Sequence, residues 1–264
     1  MEGRRLVIAV GQFPPPRTGF STVTARLVAR LARAHAVHPI DIGPGTATGV
    51  AKHARRLGRV VGAMGALVAG AGRRDRALYL GCEGKWGLLY TLALVAVARL
   101  CRYPITLHHH SFTYIDRRSA LMAGILSVGG GRLRHVFLCR GMAARFEAQY
   151  RRAVFGTILS NAAFVEPARE DRPGDRPLTI GLLSNLTREK GLDTFIDLLK
   201  GAIAAGLDVE GILAGPASPA DRAAIAEAVR GLAPRLTYLG PVEGEAKAAF
   251  FRATDVFVFP SRYA

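Results

Sequence analysis

Two cations lie close together in a short polar segment of the sequence. The segment Ser184–Gly191 follows an apolar run and precedes an amphipathic one, so it joins a predicted strand to a predicted helix. Arg188 and Lys190 then lie at a helix N-terminus, where free N–H groups and the helix dipole also favour negative charge. The segment predicts a site for an anion such as a phosphate group. Solvated surface charges are the alternative.

Three consecutive histidines, His108, His109 and His110, follow another apolar run. They end a predicted strand at the edge of a sheet where ligands commonly bind. Adjacent residues of an extended chain point to opposite faces, and no acidic or cysteine partner is spaced nearby, so the three would chelate a metal poorly. We expect no metal and one histidine that hydrogen-bonds a ligand. A metal site and three structural histidines are the alternatives.

A third loop, Gly11–Ser21, joins the first predicted strand to the first helix. It is neither a P-loop nor a GxGxxG motif. Gly19 would let the backbone approach a ligand closely, and Ser21 is predicted to cap the helix, whose free N–H groups suit an anion. A plain strand–helix turn is the alternative.

The positive charge of the sequence is concentrated in its first part. Residues 1–172 hold 26 Lys and Arg against 9 Asp and Glu, whereas residues 173–264 hold 10 against 11. Such an excess predicts an anionic partner, and the alternative is a compositional bias towards arginine, of which there are 31 against 5 lysines. We expect no nucleic acid, because there is no known binding module and aromatic residues are not interleaved with the basic ones. The basic stretch Lys52–Arg76 fits a helix on an anionic membrane surface, or an ordinary surface helix.

The elements that position these loops alternate between strand and helix, which predicts an α/β fold with two Rossmann-like doubly wound domains. A charged, proline-containing stretch, 166–177, predicts a linker between an N-terminal domain, 1–165, and a C-terminal domain, 178–264. The predicted strands are Leu6–Val10, Val37–Ile42, Ala77–Leu80, Ile105–His108, Val136–Cys139, Thr157–Leu159, Leu178–Leu183, Val209–Ala214, Leu236–Leu239 and Val256–Phe259. We expect a ligand cleft at the carboxyl ends of both sheets.

Composition excludes several classes of protein. The three cysteines share no CxxC spacing, which argues against a disulfide framework and a zinc site and favours a reducing compartment. The longest apolar stretch, 87–98, is too short to span a bilayer, and no export signal is recognisable. These features predict a cytoplasmic protein.

Four segments resemble the second domain of retaining GT-B glycosyltransferases of family four (group 1 glycosyltransferases). They are Gly181–Leu198, Gly211–Pro216, Tyr238–Val242 and, most specifically, Ala253–Tyr263. The resemblance implies transfer of a sugar from a nucleotide-diphosphate sugar to a glycan or lipid-linked acceptor, with retention and without a cofactor. It also implies a role in cell-surface polysaccharide synthesis, and the basic first domain would then face the inner surface of a membrane.

The same resemblance implies roles for individual residues. Lys190 matches the family's diphosphate-binding lysine, and Asn185 stands near where many members have a second diphosphate-binding arginine, so Arg188 would compensate. His109 is slightly preferred as the histidine beside the donor sugar, which makes His109 and Lys190 the implied catalytic pair. The implied substrate-binding residues are Gly19, His108, His110, Asn185, Arg188, Lys190, Gly215 and Ser261.

The family's paired glutamates, which hold the donor, have no match in this sequence, which ends at Ala264. The resemblance therefore implies a second domain that is incomplete at its C-terminus and a chain with impaired activity. A catalytically inactive remnant that binds sugar nucleotides or glycans is one alternative. A nucleotide-sugar epimerase of the same architecture is another, because fold alone does not decide between them.

Overall fold

The computed structural model describes residues 4–16, 18–43, 45, 49–154, 156–164 and 176–262. The chain divides into two compact units, Met1–Pro167 and Ala168–Ala264. Each unit is built on a parallel sheet flanked by helices. The predicted linker, 166–177, falls almost entirely outside the described residues.

The first unit contains a six-stranded parallel sheet in its described residues, with the order β2-β1-β3-β4-β5-β6. Its strands are β1 (Leu6–Gly11), β2 (Ala36–Asp41), β3 (Arg76–Cys82), β4 (Ile105–His109), β5 (Leu133–Phe137) and β6 (Gly156–Ile158). Gly11 pairs with Asp41, and Cys82 pairs with His109. The carboxyl ends of the first four strands therefore lie at one edge of the sheet.

Helices cover both faces of this sheet. The helices are α1 (Gly19–Leu31), α2 (Gly49–Ala69), α3 (Gly87–Leu100), α4 (Thr113–Asp116), α5 (Ala120–Gly129) and α6 (Arg140–Tyr150). Ile8 and Val10 point into the main core, which α2, α3, α5 and α6 share. Val7 and Ala9 point to the other face and pack with Val28 of α1. This alternation is the period of two expected of a strand that is buried on both faces.

The second unit repeats the plan on a smaller scale. Its elements are β7 (Leu178–Leu183), α7 (Leu192–Ala204), β8 (Val209–Ala214), α8 (Pro219–Gly231), β9 (Leu236–Tyr238), α9 (Gly244–Ala253) and β10 (Val256–Phe257). The described strands form a parallel sheet with the order β10-β7-β8-β9. Phe195 and Leu199 of α7 are fully buried in its core, as the apolar spacing of that helix predicts.

Three local predictions were wrong. The strand predicted at Val136–Cys139 begins three residues earlier, because Leu133 pairs with Ile105 and the Cys139 side chain already accepts the amide of Met142 at the start of α6. Helix α1 begins at Gly19 and is capped by Thr18, not by Ser21. Helices α4 and α5 were not predicted, because the α5 sequence is apolar nearly throughout and shows no helical period.

In the residues that the structure describes, no helix combines the length and the apolar character needed to cross a bilayer.

Candidate functional site

The loop between β7 and α7 holds the cationic segment predicted from the sequence. Its last residues, Arg188–Lys190, form a single 3₁₀ turn, in which the Thr187 hydroxyl accepts the amide of Lys190 at 3.3 Å. Gly191 then adopts a φ of +83°, and a Cβ there would collide with the carbonyl oxygen of Pro260. Only glycine fits this junction without strain.

Two cations emerge from this turn in different settings. Arg188 is exposed, and its Nε lies 3.2 Å from Asp193, a carboxylate that also pairs with Arg262 at 2.9 Å. Lys190 is half-buried, and its Nζ lies 5.6 Å from the centroid of the Phe259 ring. Arg188 therefore shares the negative charge of Asp193 with a second arginine.

The loop that follows β8 is hydrogen-bonded both to the β7 loop and to the loop that follows β9. The amide of Gly215 donates to the carbonyl of Gly240 at 2.8 Å, and Leu186 donates to Pro216 at 2.8 Å. Gly215 has a φ of +128°, and a Cβ there would collide with the carbonyl oxygen of Ser184. The glycine thus allows two loops to meet at the carboxyl edge of the second sheet.

The segment after β10 closes the same edge. Ser261 is half-buried and its amide donates to the Phe259 carbonyl at 2.9 Å, while the amide of Arg262 donates to the Glu189 carbonyl at 2.9 Å. Asp255 holds this segment against β7, because its carboxylate accepts hydrogen bonds from the Thr179 amide at 2.9 Å and from the Arg176 guanidinium at 2.7 Å.

The second unit therefore brings together most of its predicted site residues. Lys190, Gly215 and Ser261 lie on loops that contact one another or follow adjacent strands at one sheet edge. Asn185 lies on the same β7 loop and is exposed. These positions suit a ligand that binds at the carboxyl ends of parallel strands.

In the first unit, the histidine run splits between the two faces of β4. His109 is fully buried on the side of the main core, where its Nδ1 lies 2.9 Å from the Tyr114 hydroxyl and its Nε2 lies 2.9 Å from His135 Nδ1. The His109 ring also stacks on Phe137, with ring centroids 4.6 Å apart. Both ring nitrogens of His109 are thus engaged within the unit.

His108 and His110 lie on the other face, and their ring centroids are 4.0 Å apart. His108 is bonded through Nδ1 to the Tyr79 hydroxyl at 2.8 Å, and His110 packs against Phe20 of α1 at 4.4 Å. The Nε2 atoms of both histidines are buried and have no hydrogen-bond partner among the described residues. Of the three, half-buried His110 is the best placed to offer a nitrogen to a ligand.

Burial keeps these imidazoles neutral. It lowers the pKa of His108 to about 4, and burial, together with the electrostatic effect of the adjacent His108 ring, lowers the pKa of His110 to about 3. The pKa of His135 is lowered to about 4, mainly by burial and to a smaller extent by the positive charge of the nearby Arg152. A neutral imidazole both donates and accepts hydrogen bonds, which suits contact with sugar hydroxyl groups.

The loop after β1 ends in a capping box. The Thr18 hydroxyl accepts the Ser21 amide at 3.1 Å, and the Ser21 hydroxyl accepts the Thr18 amide at 2.9 Å. Gly19, the first residue of α1, is exposed, and a Cβ placed there would meet no atom within 4 Å. The space beside Gly19 is open, as the prediction of a close approach by a ligand requires.

Glu83 was not among the site residues predicted from the sequence. It follows β3 at the same edge as His109, and it pairs with Arg56 through Oε2, while Oε1 is buried without a hydrogen-bond partner among the described residues. A signal existed, because Glu83 is the only acidic residue between Asp75 and Asp116 and comes just after a predicted strand. Tyr79, Tyr114 and His135, which hold the histidines, gave no such signal.

Among the described residues, no group of three or more His, Cys, Asp or Glu side chains is placed to hold a metal ion.

Comparison with known families gives one match, over the second unit. Residues 177–264 match the family of group 1 glycosyl transferases. The predicted resemblance to that family is therefore confirmed over this segment. No curated protein matches the sequence.

Solved structures with the same fold cover nearly the whole chain. HepE of Anabaena in complex with UDP superposes with a TM-score of 0.64 and 15% identity, over 98% of this chain and 74% of that one. The lipopolysaccharide outer core galactosyltransferase WaaB gives a TM-score of 0.64 at 11% identity, over 98% and 75%. A glycosyltransferase from Rickettsia africae gives 0.63 at 10%, over 98% and 73%. The predicted α/β fold of the GT-B type is confirmed.

Proposed function

We propose that the protein transfers a sugar from a nucleotide-diphosphate sugar to a glycan or lipid-linked acceptor, with retention at the anomeric carbon, in the synthesis of a cell-surface polysaccharide. The observation that carries the proposal is the cationic turn Arg188–Lys190, which lies at the start of α7 within the segment that matches group 1 glycosyl transferases. HepE, which shares the fold, was crystallised with UDP and with UDP-glucose, so a uridine nucleotide is the first donor to test.

The chemistry of the proposed site is stabilisation of a leaving group. When the bond between the sugar and the diphosphate breaks, negative charge builds on the diphosphate, and a fixed cation lowers the energy of that state. Lys190 is held for this role by the Thr187 cap and by Gly191. Arg188 supplies a second positive charge, Asn185 is an exposed amide on the same loop, and Gly215 and Ser261 border the site.

The first unit supplies the proposed groups for the sugar and the acceptor. We assign the histidine beside the donor sugar to His110, with His108 behind it, because the Nε2 of each has no partner among the described residues. His109, preferred in the sequence, becomes a positioning residue whose nitrogens hold Tyr114 and His135. Gly19 leaves room for a substrate, and Glu83 Oε1 can accept a hydrogen bond from an acceptor hydroxyl group.

The proposal includes a cytoplasmic location with peripheral attachment to the inner face of a membrane. The excess positive charge of residues 1–172 supports this placement, because the cytoplasmic leaflet is negatively charged.

The test is replacement of Lys190 by Ala, with Lys200→Ala as the matched control. Lys200 is exposed on α7 of the same unit. We expect Lys190→Ala to lower sugar transfer from UDP-glucose by about 10²–10³-fold, as is usual when one charge-stabilising group is lost, and to weaken UDP binding measured by calorimetry. Lys200→Ala should change neither.

Equal effects of the two substitutions would remove Lys190 from the mechanism. UDP binding that depends on Lys190, with no transfer to any acceptor, would instead identify a sugar-nucleotide-binding protein. Interconversion of the donor sugar without an acceptor would identify an epimerase.

A further inference from the structure

Helix α2 carries apolar side chains on two separate sides. Val60, Ala63 and Leu67 are buried in the main core, as expected of a helix that covers a sheet. Leu57 and Val61, however, are 55% and 57% exposed. Their spacing of four residues places them one above the other on a side of the helix that does not face the sheet.

The start of α3 adds two more exposed apolar side chains. Trp86, which precedes the first residue of α3, is 78% exposed, and Leu89 in the first turn is 44% exposed. Helices α2 and α3 contact each other beside these residues, because Arg56 of α2 pairs with Glu83 and its guanidinium lies 4.7 Å from the centroid of the Tyr90 ring. We call Leu57, Val61, Trp86 and Leu89 the apolar patch.

The surroundings of the apolar patch are cationic. The sequence has no acidic residue between Asp41 and Asp75, a stretch that contains all of α2. Glu83 is the only acidic residue from there to Asp116, and it is paired with Arg56. Lys85, next to Trp86, is exposed. Exposed apolar groups within a surface of one charge sign mark an interaction site, and the sign selects an anionic partner.

The position of the patch in the fold narrows the choice of partner. Helix α3 begins after the carboxyl end of β3, so Trp86 and Leu89 lie at the sheet edge that also carries His110 and Glu83. A tryptophan at a helix start beside aliphatic and cationic side chains has the amphipathic character of residues that settle at a membrane–water interface. A bilayer at this edge would present lipid-linked acceptors to the first unit.

We propose that the apolar patch inserts into the interfacial layer of an anionic bilayer, with Lys85 against the lipid phosphate groups. This inference rests on the peripheral membrane role within the proposed function. It adds the surface that docks and the residues that enter the lipid.

The experiment uses Trp86 as an intrinsic probe, because it is the single tryptophan of the sequence. The purified protein is mixed with vesicles of phosphatidylcholine alone, and with vesicles of phosphatidylcholine and phosphatidylglycerol. We expect it to float with the anionic vesicles only. Tryptophan emission should shift to shorter wavelength in their presence, and lipids brominated on the acyl chains should quench it.

Matched variants distinguish insertion of the apolar patch from nonspecific binding to vesicles. Trp86→Ser and Leu57→Ser should each lower the partition coefficient about tenfold, because each removes apolar area that the bilayer would cover. Leu100→Ser is the control, since Leu100 is 83% exposed at the far end of α3. Lys85→Gln should lower the partition coefficient about fivefold, whereas Arg230→Gln on α8 should leave it unchanged. All five residues are exposed, so thermal unfolding should be unchanged.

Three outcomes would overturn the inference: no flotation, equal binding to neutral and anionic vesicles, or flotation with unshifted and unquenched emission. Self-association that shifts the emission without vesicles would assign the patch to a second copy of the chain. Vesicle binding needs no donor, so UDP binding in the absence of vesicle binding would reject this inference alone. Vesicle binding without sugar transfer to any acceptor would reject the proposed enzyme alone.

Discussion

The histidines at the end of β4 are adjacent in sequence but differ in their surroundings. His109 bonds to Tyr114 and His135 inside the main core, whereas His108 bonds to Tyr79 on the other face. Neither is exposed. Each imidazole is buried in its neutral form, so the free energy of unfolding should depend on pH.

We expect the free energy of unfolding to fall as the pH decreases below 6.5. Burial lowers the pKa of His108 and of His135 from 6.5 to about 4. Between these values the unfolded chain binds protons that the folded chain does not, so each such histidine costs up to about 1.4 kcal/mol per pH unit. Above pH 6.5 this stabilisation is complete. Urea unfolding, followed by circular dichroism from pH 7.5 to 5, measures it.

A substitution isolates the contribution of one ring. His110→Phe keeps an aromatic ring against Phe20 but removes a buried Nε2 that has no partner among the described residues, so the slope of stability against pH should decrease. His38→Phe, at an exposed position of β2, is the control and should leave the slope unchanged. A flat profile in the unaltered protein would show that the histidines are protonated in the fold.

At the scale of elements, the start of α7 depends on one glycine. Gly191 has a positive φ and lies against the Pro260 carbonyl, so Gly191→Ala should destabilise the second unit by about 2 kcal/mol or more. Gly201→Ala, within the same helix, meets open space and should stabilise it by about 0.5–1 kcal/mol. Urea unfolding of both variants measures the difference. Equal values would mean that the β7 loop is not held against the segment after β10.

The sequence predicted the elements whose signal is local. Strand β7 has the predicted bounds, and helix α7 follows the cationic segment as predicted, because buried strands are apolar runs and the helix has a clear apolar period. Helix α5 was missed because it is apolar on all sides and gives no period. The cap of α1 was misplaced by three residues, since Thr18 and Ser21 both suit a cap and only the reciprocal hydrogen bonds distinguish them.

Site residues were predictable where a loop follows a strand, but their partners were not. Arg188 and Lys190 of the β7 loop could be recognised because they directly precede a predicted helix. That His109 has both nitrogens engaged depends on His135, which is 26 residues away on β5. Such pairings follow from sheet order, which one sequence does not specify. The slight preference for His109 was made without knowledge of this network, and the role of His109 stays a prediction.

The whole molecule divides its charge between its two parts. The excess of basic residues lies before residue 173, whereas residues 173–264, which hold the cations proposed to bind diphosphate, are nearly neutral in sum. Local placement therefore sets the proposed nucleotide affinity, while net charge sets attraction to an extended anionic surface. The two kinds of binding should accordingly respond to salt differently, with vesicle binding weakening first.

The placement of these cations in the second unit predicts where a nucleotide binds. UDP, which lacks the sugar, should bind the second unit, and hydrogen exchange measured by mass spectrometry should show protection in peptides that contain the β7 loop, the residues after β8 and the segment after β10. The amides of Leu186, Gly215 and Arg262 join these segments to one another and to the β9 loop, so holding one should slow exchange in the others. The first unit should be unaffected.

Lys190→Ala should abolish this protection. Lys200→Ala should preserve it, since Lys200 is exposed on α7 and lies outside the loops that are hydrogen-bonded to one another. Protection confined to the loop before α1 would place the nucleotide in the first unit and contradict the assignment of the diphosphate to Lys190. Protection spread evenly over both units would indicate general stabilisation rather than a site. Only the pattern limited to the second unit agrees with a cation that is fixed by its own loops and acts on a single diphosphate.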